Sequence, residues 1–553
     1  MKHLLTRPRR AAALAAGSLL LVSALSACAG SDPGIKPAAA AGAPVHGGNL
    51  TYLDAEIPIS AQVQESGYWQ DRAILWNVLD RLVYRNPETN KLEPWLAEKW
   101  TVSPDGRTYE FVIRDGVTYS DGSPLDVESV KRNLEWQIKG DPDNAISPNP
   151  IFPKAATITT DAASRTVTVE LPKPYAPFLG VLTNWSSGLV ADKTIDASRE
   201  DQLKFKNLIG SGAFVVTEET YGKKYVLSAR KEYAWAPPSW KNQGAAYLDT
   251  VTIVPVQEDA VRLGTLKSGQ GDLLRYIQPS EEQALADQGF HVVARSGVGL
   301  VNQWALRQVA PVVQDVDVRR AIQHGIDRDA LVDNLYTENW GAAQSLLSPG
   351  TLGFSDKTAQ FAYDPDESEK LLDEAGWTGT DDDGYRTKDG KTLTVETYVD
   401  VFDNTARVLF QAIQAQLKEI GIHLDIKETD YSSYGTKAYG PTTAALRTGW
   451  PGGDPAVTLW NTYRVEGWNS ASLDPKDPAA AQITKLLNAA VDATSEEDEA
   501  AALDKAQDYL IDQAYAIPLL NDSQVYVAGT DVQGFDLSDG GLPEYHNAWK
   551  TED

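Results

Sequence analysis

Residues 92–135 read LEPWLAEKWTVSPDGRTYEFVIRDGVTYSDGSPLDVESVKRNLE. Within them Tyr109, Phe111 and Ile113 alternate with Thr108, Glu110 and Val112, the two-residue period of a half-buried strand, and the run stops at Asp115-Gly116, a turn pair. A second alternating segment, TVTVEL at 166–171, puts Val167, Val169 and Leu171 on one face. Both are antiparallel-sheet patterns. Further along the period becomes helical. In YDPDESEKLLDEAGW (363–377), Asp364 suits an N-cap, Pro365 the first helical position and Gly376 the left-handed C-terminal position, bracketing Leu371 and Leu372. NTARVLFQAIQAQLKEIGIHLDI (404–426) carries Leu409, Ile413, Leu417 and Ile420 on one stripe, stops at Gly421, and passes into a strand with Leu424 and Ile426 alternating. Helix passing into strand predicts an α/β fold of mixed sheets with flanking helices.

The N-terminus has a different organisation. Lys2, Arg7, Arg9 and Arg10 precede an apolar run from Ala11 to Ala27, too short for a comfortable membrane span and ordered as a secretion signal. Leu25-Ser26-Ala27-Cys28 matches the lipobox of bacterial lipoproteins, in which the cysteine is lipidated and becomes the first mature residue. Cys28 is the only cysteine of 553 residues, so the fold beyond it depends on no disulfide and uses no thiolate. Pro8-Arg9-Arg10 matches only part of a twin-arginine pattern, which leaves the export route open. Residues 28–47, rich in Ala, Gly and Pro, read as a flexible linker with a reach of roughly 25 Å. The expected location is outside the cell membrane, tethered to its surface by lipid.

With 50 basic and 77 acidic residues the formal charge is −27, and loss of the four cations of residues 1–27 takes it to −31. Such a charge argues against nucleic acid as a partner, and none is expected. The length exceeds what one core fills, which predicts two or three domains.

The block at 92–135 resembles the signature region of the extracellular solute-binding proteins of the oligopeptide, dipeptide and nickel group, family 5, which serve ABC importers. RLGTLKSGQGDLL (262–274), DVDVRRAIQHGIDRDALV (315–332), the helix block at 363–377, LKEIGIHLDIKETDY (417–431), GWPGGDPAVTLWN (449–461) and AIPLLND (516–522) resemble further blocks of that family in the same order. The resemblance implies a two-lobed, type II periplasmic-binding-protein fold of the large three-domain class. By analogy, domain I comprises 48–82, 206–296 and 515–553, domain II is the insertion 83–205, and domain III is 297–514. It further implies a monomer that encloses a small solute between lobes and partners a separate permease and ATPase.

Enzyme chemistry has little to stand on. There is no Gly-x-Ser-x-Gly, no phosphate-binding Gly-x-x-x-x-Gly-Lys and no His-Glu-x-x-His, and the six histidines are scattered. TDDDGYRTKDGK at 380–391 lacks EF-hand spacing and reads as a solvated turn. No cofactor or metal is expected; a glycoside hydrolase, with an unidentified carboxylate pair, and an anchored sensory receptor are the alternatives from other classes.

For binding, the resemblance singles out LRTGWPGGDPAVTLW at 446–460 as the loop lining the cavity. Arg447 stands where relatives place an arginine near the ligand, suited to a two-pronged hold on a carboxylate, with an internal salt bridge equally open. Trp450 is the motif tryptophan and Trp460 follows it; each offers a flat face to a ligand or fills core. Tyr68 and Trp69 fall on the first lobe's contacting segment, and Trp304 just past a crossover. Peptide-binding relatives carry an amine-pairing aspartate three residues after the motif tryptophan; here Gly453 occupies that position and Asp454 comes next. Asp454 either substitutes for it or caps a helix opening at Pro455. The expected ligand order is peptide or peptide-like, then oligosaccharide, then metal chelate.

Overall fold

The computed structural model describes residues 42–551 apart from 66, 402–403, 441–442, 452, 466–475 and 477. Cys28 and the secretion signal lie outside the described residues. Within residues 44–551 three sheets organise the chain. A seven-stranded mixed sheet runs His291–Ser296, Ser523–Ala528, Leu273–Arg275, Asn49–Asp54, Thr250–Pro255, Lys224–Ala229, Phe214–Thr220. A four-stranded antiparallel sheet (Ala97–Val102, Thr108–Ile113, Thr166–Glu170, Thr157–Asp161) shares one continuous core with it, and the two make the first lobe. The second lobe is built on a five-stranded sheet in the order His423–Thr429, Thr394–Asp400, Ala445–Pro451, Gly299–Leu306, Ala516–Leu520.

Local sequence rules account for these elements. Tyr109, Phe111 and Ile113 are buried, Tyr109 and Phe111 pairing with Val169 and Val167 across the register and Ile113 with Ala97 of the other neighbouring strand, while Glu110 points to solvent. The helix Pro365–Glu374 is capped by Asp364, whose side chain accepts from Glu367 N, and Gly376 follows at φ +85°. The stripe of Asn404–Glu419 is buried against the second-lobe sheet through Leu409, Ile413 and Leu417.

The lobes are joined where two segments change sheets together. His291–Ser296 pairs antiparallel with Ser523–Ala528 in the first lobe, and their continuations Gly299–Leu306 and Ala516–Leu520 pair in the second. Gly297 N donates to Asp522 O at 3.1 Å between them, and Gly299 takes φ +125°, a backbone state that suits glycine. The sequence reading ends domain III at 514; strand Ala516–Leu520 belongs to the second sheet, and the chain changes sheets at Asn521-Asp522. Nothing in the local sequence of 516–520 distinguishes a strand of one sheet from a strand of the other. Away from the crossover the lobes also touch: Lys173 Nζ meets Asp492 at 2.6 Å, and Glu282 accepts from Thr337, Asn339 and Trp340 at 2.6, 2.7 and 3.2 Å.

Candidate functional site

A cavity of about 160 Å3 opens between the lobes. Gln64, Glu65, Gly67, Asn149, Pro150, Ile151, Val181, Asn184, Trp185 and Ser186 of the first lobe form one wall, and Gly453, Asp454, Val457 and Thr458 of the second form the other. A smaller hollow adjoins it, sharing Asn184, Trp185 and Gly453 and reaching Trp69, Arg72, Trp76 and Asp539.

The aromatic wall is held by arginines. Arg72 stacks on Trp185 at 4.9 Å, Arg275 on Trp69 at 4.1 Å and Arg81 on Trp76 at 3.6 Å, each occupying one face of a ring. Trp69 also donates from Nε1 to Tyr526 at 3.1 Å, so its orientation is fixed from below. Polar groups on the cavity wall are likewise committed: Asn149 donates to Gln137 and Ser186, and Glu65 pairs with Arg199 at 2.6 Å. Such fixed side chains make a preformed surface.

On the second lobe the strand Ala445–Pro451 delivers the chain to the cleft, and the helix Pro455–Tyr463 leaves it. Asp454 sits between them as N-cap, its Oδ1 accepting from Ala456 N (3.0 Å) and Val457 N (3.2 Å). It therefore caps the helix and lines the cavity at once. Burial pushes its carboxyl above the ordinary range, against the backbone hydrogen bonds and the opposing charge of Arg85. Glu499, almost fully buried in the first turn of Glu496–Asp512, is raised by burial and then by Asp454. Asp539, 3.7 Å from Arg85, is raised by burial as well.

Of the residues singled out in sequence, the structure brings Trp69 and Asp454 into the cleft, with Tyr68, 42% exposed, beside the cavity residue Gly67. Arg447 donates from Nε to Asn302 at 3.0 Å on the five-stranded sheet. Trp460 packs on the outer side of its helix, bonded to Asn488 and covered by Arg464 at 3.8 Å. Trp304 is fully buried; its ring fills the core beside Phe410, donates to Thr397, and has no face toward the cleft. Trp450 lies on the strand opposite Leu300, and its side chain is outside the described residues. The sequence reading missed Trp76, Trp185, Arg72, Arg85, Asp539 and Glu499. They are dispersed from residue 72 to residue 539, and no local spacing marks them.

The model of the family described as bacterial extracellular solute-binding proteins, family 5 (middle), matches residues 91–470. The glutathione-binding protein GsiB of Salmonella paratyphi A is 25% identical over 454 residues, 80% of this chain and 83% of that protein. Two solved structures share the fold. The periplasmic binding protein DppA of Helicobacter pylori in complex with the peptide STSA has a TM-score of 0.75 at 20% identity, covering 92% of this chain and 99% of the other. NikA of Brucella suis in complex with Fe(III)-EDTA has a TM-score of 0.74 at 21% identity, covering 90% and 100%.

Proposed function

The chain belongs to the bacterial extracellular solute-binding proteins, family 5, which are transport proteins and not enzymes, and on that premise we propose that it delivers a peptide or peptide-like solute to the permease of an ABC importer. The observation that carries this reading is the cavity walled by both lobes, with Trp185 on one side and Asp454 on the other and Trp69 lining the hollow that adjoins it. A ligand there touches both walls only when the lobes are together, so its binding free energy shifts the population toward the closed form. At about 160 Å3 the cavity is smaller than the roughly 300–1,000 Å3 usual for ligand pockets, which suits a compact solute better than a long peptide; glutathione, which the relative GsiB is named for binding, is a compact peptide. Trp69 and Trp185 contribute flat apolar area, while Asp454 presents negative charge to an amine. Arg447 supports the sheet behind the motif loop, and Cys28 carries the lipid that keeps the protein at the membrane surface.

The test is a thermal-shift screen of the mature chain, unlipidated, against glutathione, dipeptides with free and acetylated amino termini, oligosaccharides and metal chelates. A ligand at a hundred times its Kd adds about 2.7 kcal/mol of stability. Stabilisation by a free peptide, weakened by Trp69→Ala, is the expected result. Stabilisation by a sugar or chelate with every peptide silent overturns the ligand class.

A further inference from the structure

We propose that Arg85 of the first lobe and Asp454 and Glu499 of the second form a proton-coupled closing contact over Gly180. The proposal rests on the reading that the lobes open and close around a ligand. Gly180 lies in the first-lobe turn Phe178–Val181. A Cβ built on it would stand 2.6 Å from Asp454 Oδ2, 3.2 Å from Asp454 Cβ and 3.2 Å from Arg85 Nη2. A carboxylate from one lobe and a guanidinium from the other thus converge on the space that glycine leaves empty. Because Oδ1 of Asp454 is held by its helix cap, Oδ2 is the atom turned toward the first lobe.

The charges at this junction do not balance. Arg85 already stands 3.7 Å from Asp539 of its own lobe, and it is also the cation acting on both Asp454 and Glu499. Glu499 Oε1 has no hydrogen-bond partner although the side chain is 2% exposed. Among the described residues, the other titratable groups facing the pair bring no positive charge: Tyr109 and Tyr175 come from the first lobe, and Glu496 lies one turn before Glu499. Closing the lobes brings Asp454 and Glu499 onto a guanidinium already shared with Asp539, which buries negative charge that Arg85 does not compensate, and this is costly. Taking up a proton lessens it. Since burial holds these carboxyls above their ordinary range, the closed form binds the proton more tightly than an open form in which they meet water. Closure is therefore favoured as pH falls and lost as pH rises through the carboxyl pKa of the closed form.

Small-angle scattering on the mature chain with Cys28→Ser, from about pH 5 to about pH 8.5, reads the open-to-closed ratio from the radius of gyration. One coupled proton changes that ratio by up to about tenfold per pH unit. Glu499→Gln is expected to stay compact across the range. Gly180→Val, confirmed folded by its melting curve, is expected to stay open at every pH. Glu499→Gln titrating like the wild type, or Gly180→Val closing normally, overturns the proposal. Each sample is also measured with millimolar glutathione and, separately, Met-Leu. Compaction by either of these with no response to pH defeats the proton coupling alone; a radius that answers to neither pH nor solute defeats the moving-lobe reading with it.

Discussion

Glu544 lies beneath the aromatic wall of the cleft, where its Oε1 accepts from Trp76 Nε1 at 3.0 Å and Tyr84 Oη at 3.3 Å. Burial pushes its carboxyl from 4.5 up to about 8; Asp536 adds to this, and the Trp76 hydrogen bond and Arg81 oppose it. A folded-state pKa above the unfolded one means the native protein holds the proton more tightly. The stability this group confers is complete below about pH 4.5 and drains away as pH rises to about 8. At roughly 1.4 kcal/mol per pH unit, the interval amounts to roughly 5 kcal/mol at its alkaline end. A chain of about 500 ordered residues unfolds with an entropy near 1 kcal/mol/K, so the corresponding change in Tm is about 4–5 °C. Glu544→Gln keeps an acceptor for Trp76 and Tyr84 and removes the ionisation. Scanning calorimetry of both proteins should give equal Tm near pH 4.5 and a variant about 4 °C above the wild type near pH 8, with contributions of the other acids cancelling in the comparison. A variant that melts below the wild type at pH 8 refutes the reasoning, because it would show Glu544 ionised and supporting the buried Arg81 guanidinium stacked on Trp76.

Two further outcomes follow from particular residues. Trp304→Ala should cost about 3–5 kcal/mol in denaturant unfolding, the range for emptying a buried aromatic site, while the affinity of any ligand found in the screen is unchanged; a stability loss below about 1 kcal/mol would mean that the ring is not packed as described. Cys28→Ala should move the protein from the membrane fraction to the soluble one on cell fractionation, and a variant that still sediments with membranes contradicts a single lipid anchor.

The sequence determined this protein's elements because their causes are local. Alternation at 108–113, the Asp364-Pro365 start and the Gly376 and Gly421 stops each depend on residues within a turn or two, and each stands in the structure where the pattern puts it. The motif loop was legible for the same reason: a cap followed by proline is a short-range device, and Asp454 uses it. Tertiary structure alone decided where those elements meet. Trp69, at the start of a helix, and Trp304, within a strand, are equivalent letters next to equally suggestive landmarks, yet one faces the cleft and the other fills a core, since what a helix or strand face meets depends on what packs against it. Whether 516–520 joined the first or the second sheet was decided by its partner strand 299–306, some two hundred residues away in the chain. The Arg85, Asp454 and Glu499 junction was invisible in sequence for the same physical reason: burial and Coulomb interaction act through space, and residues 85 and 180 of one lobe meet 454 and 499 of the other only through the tertiary fold.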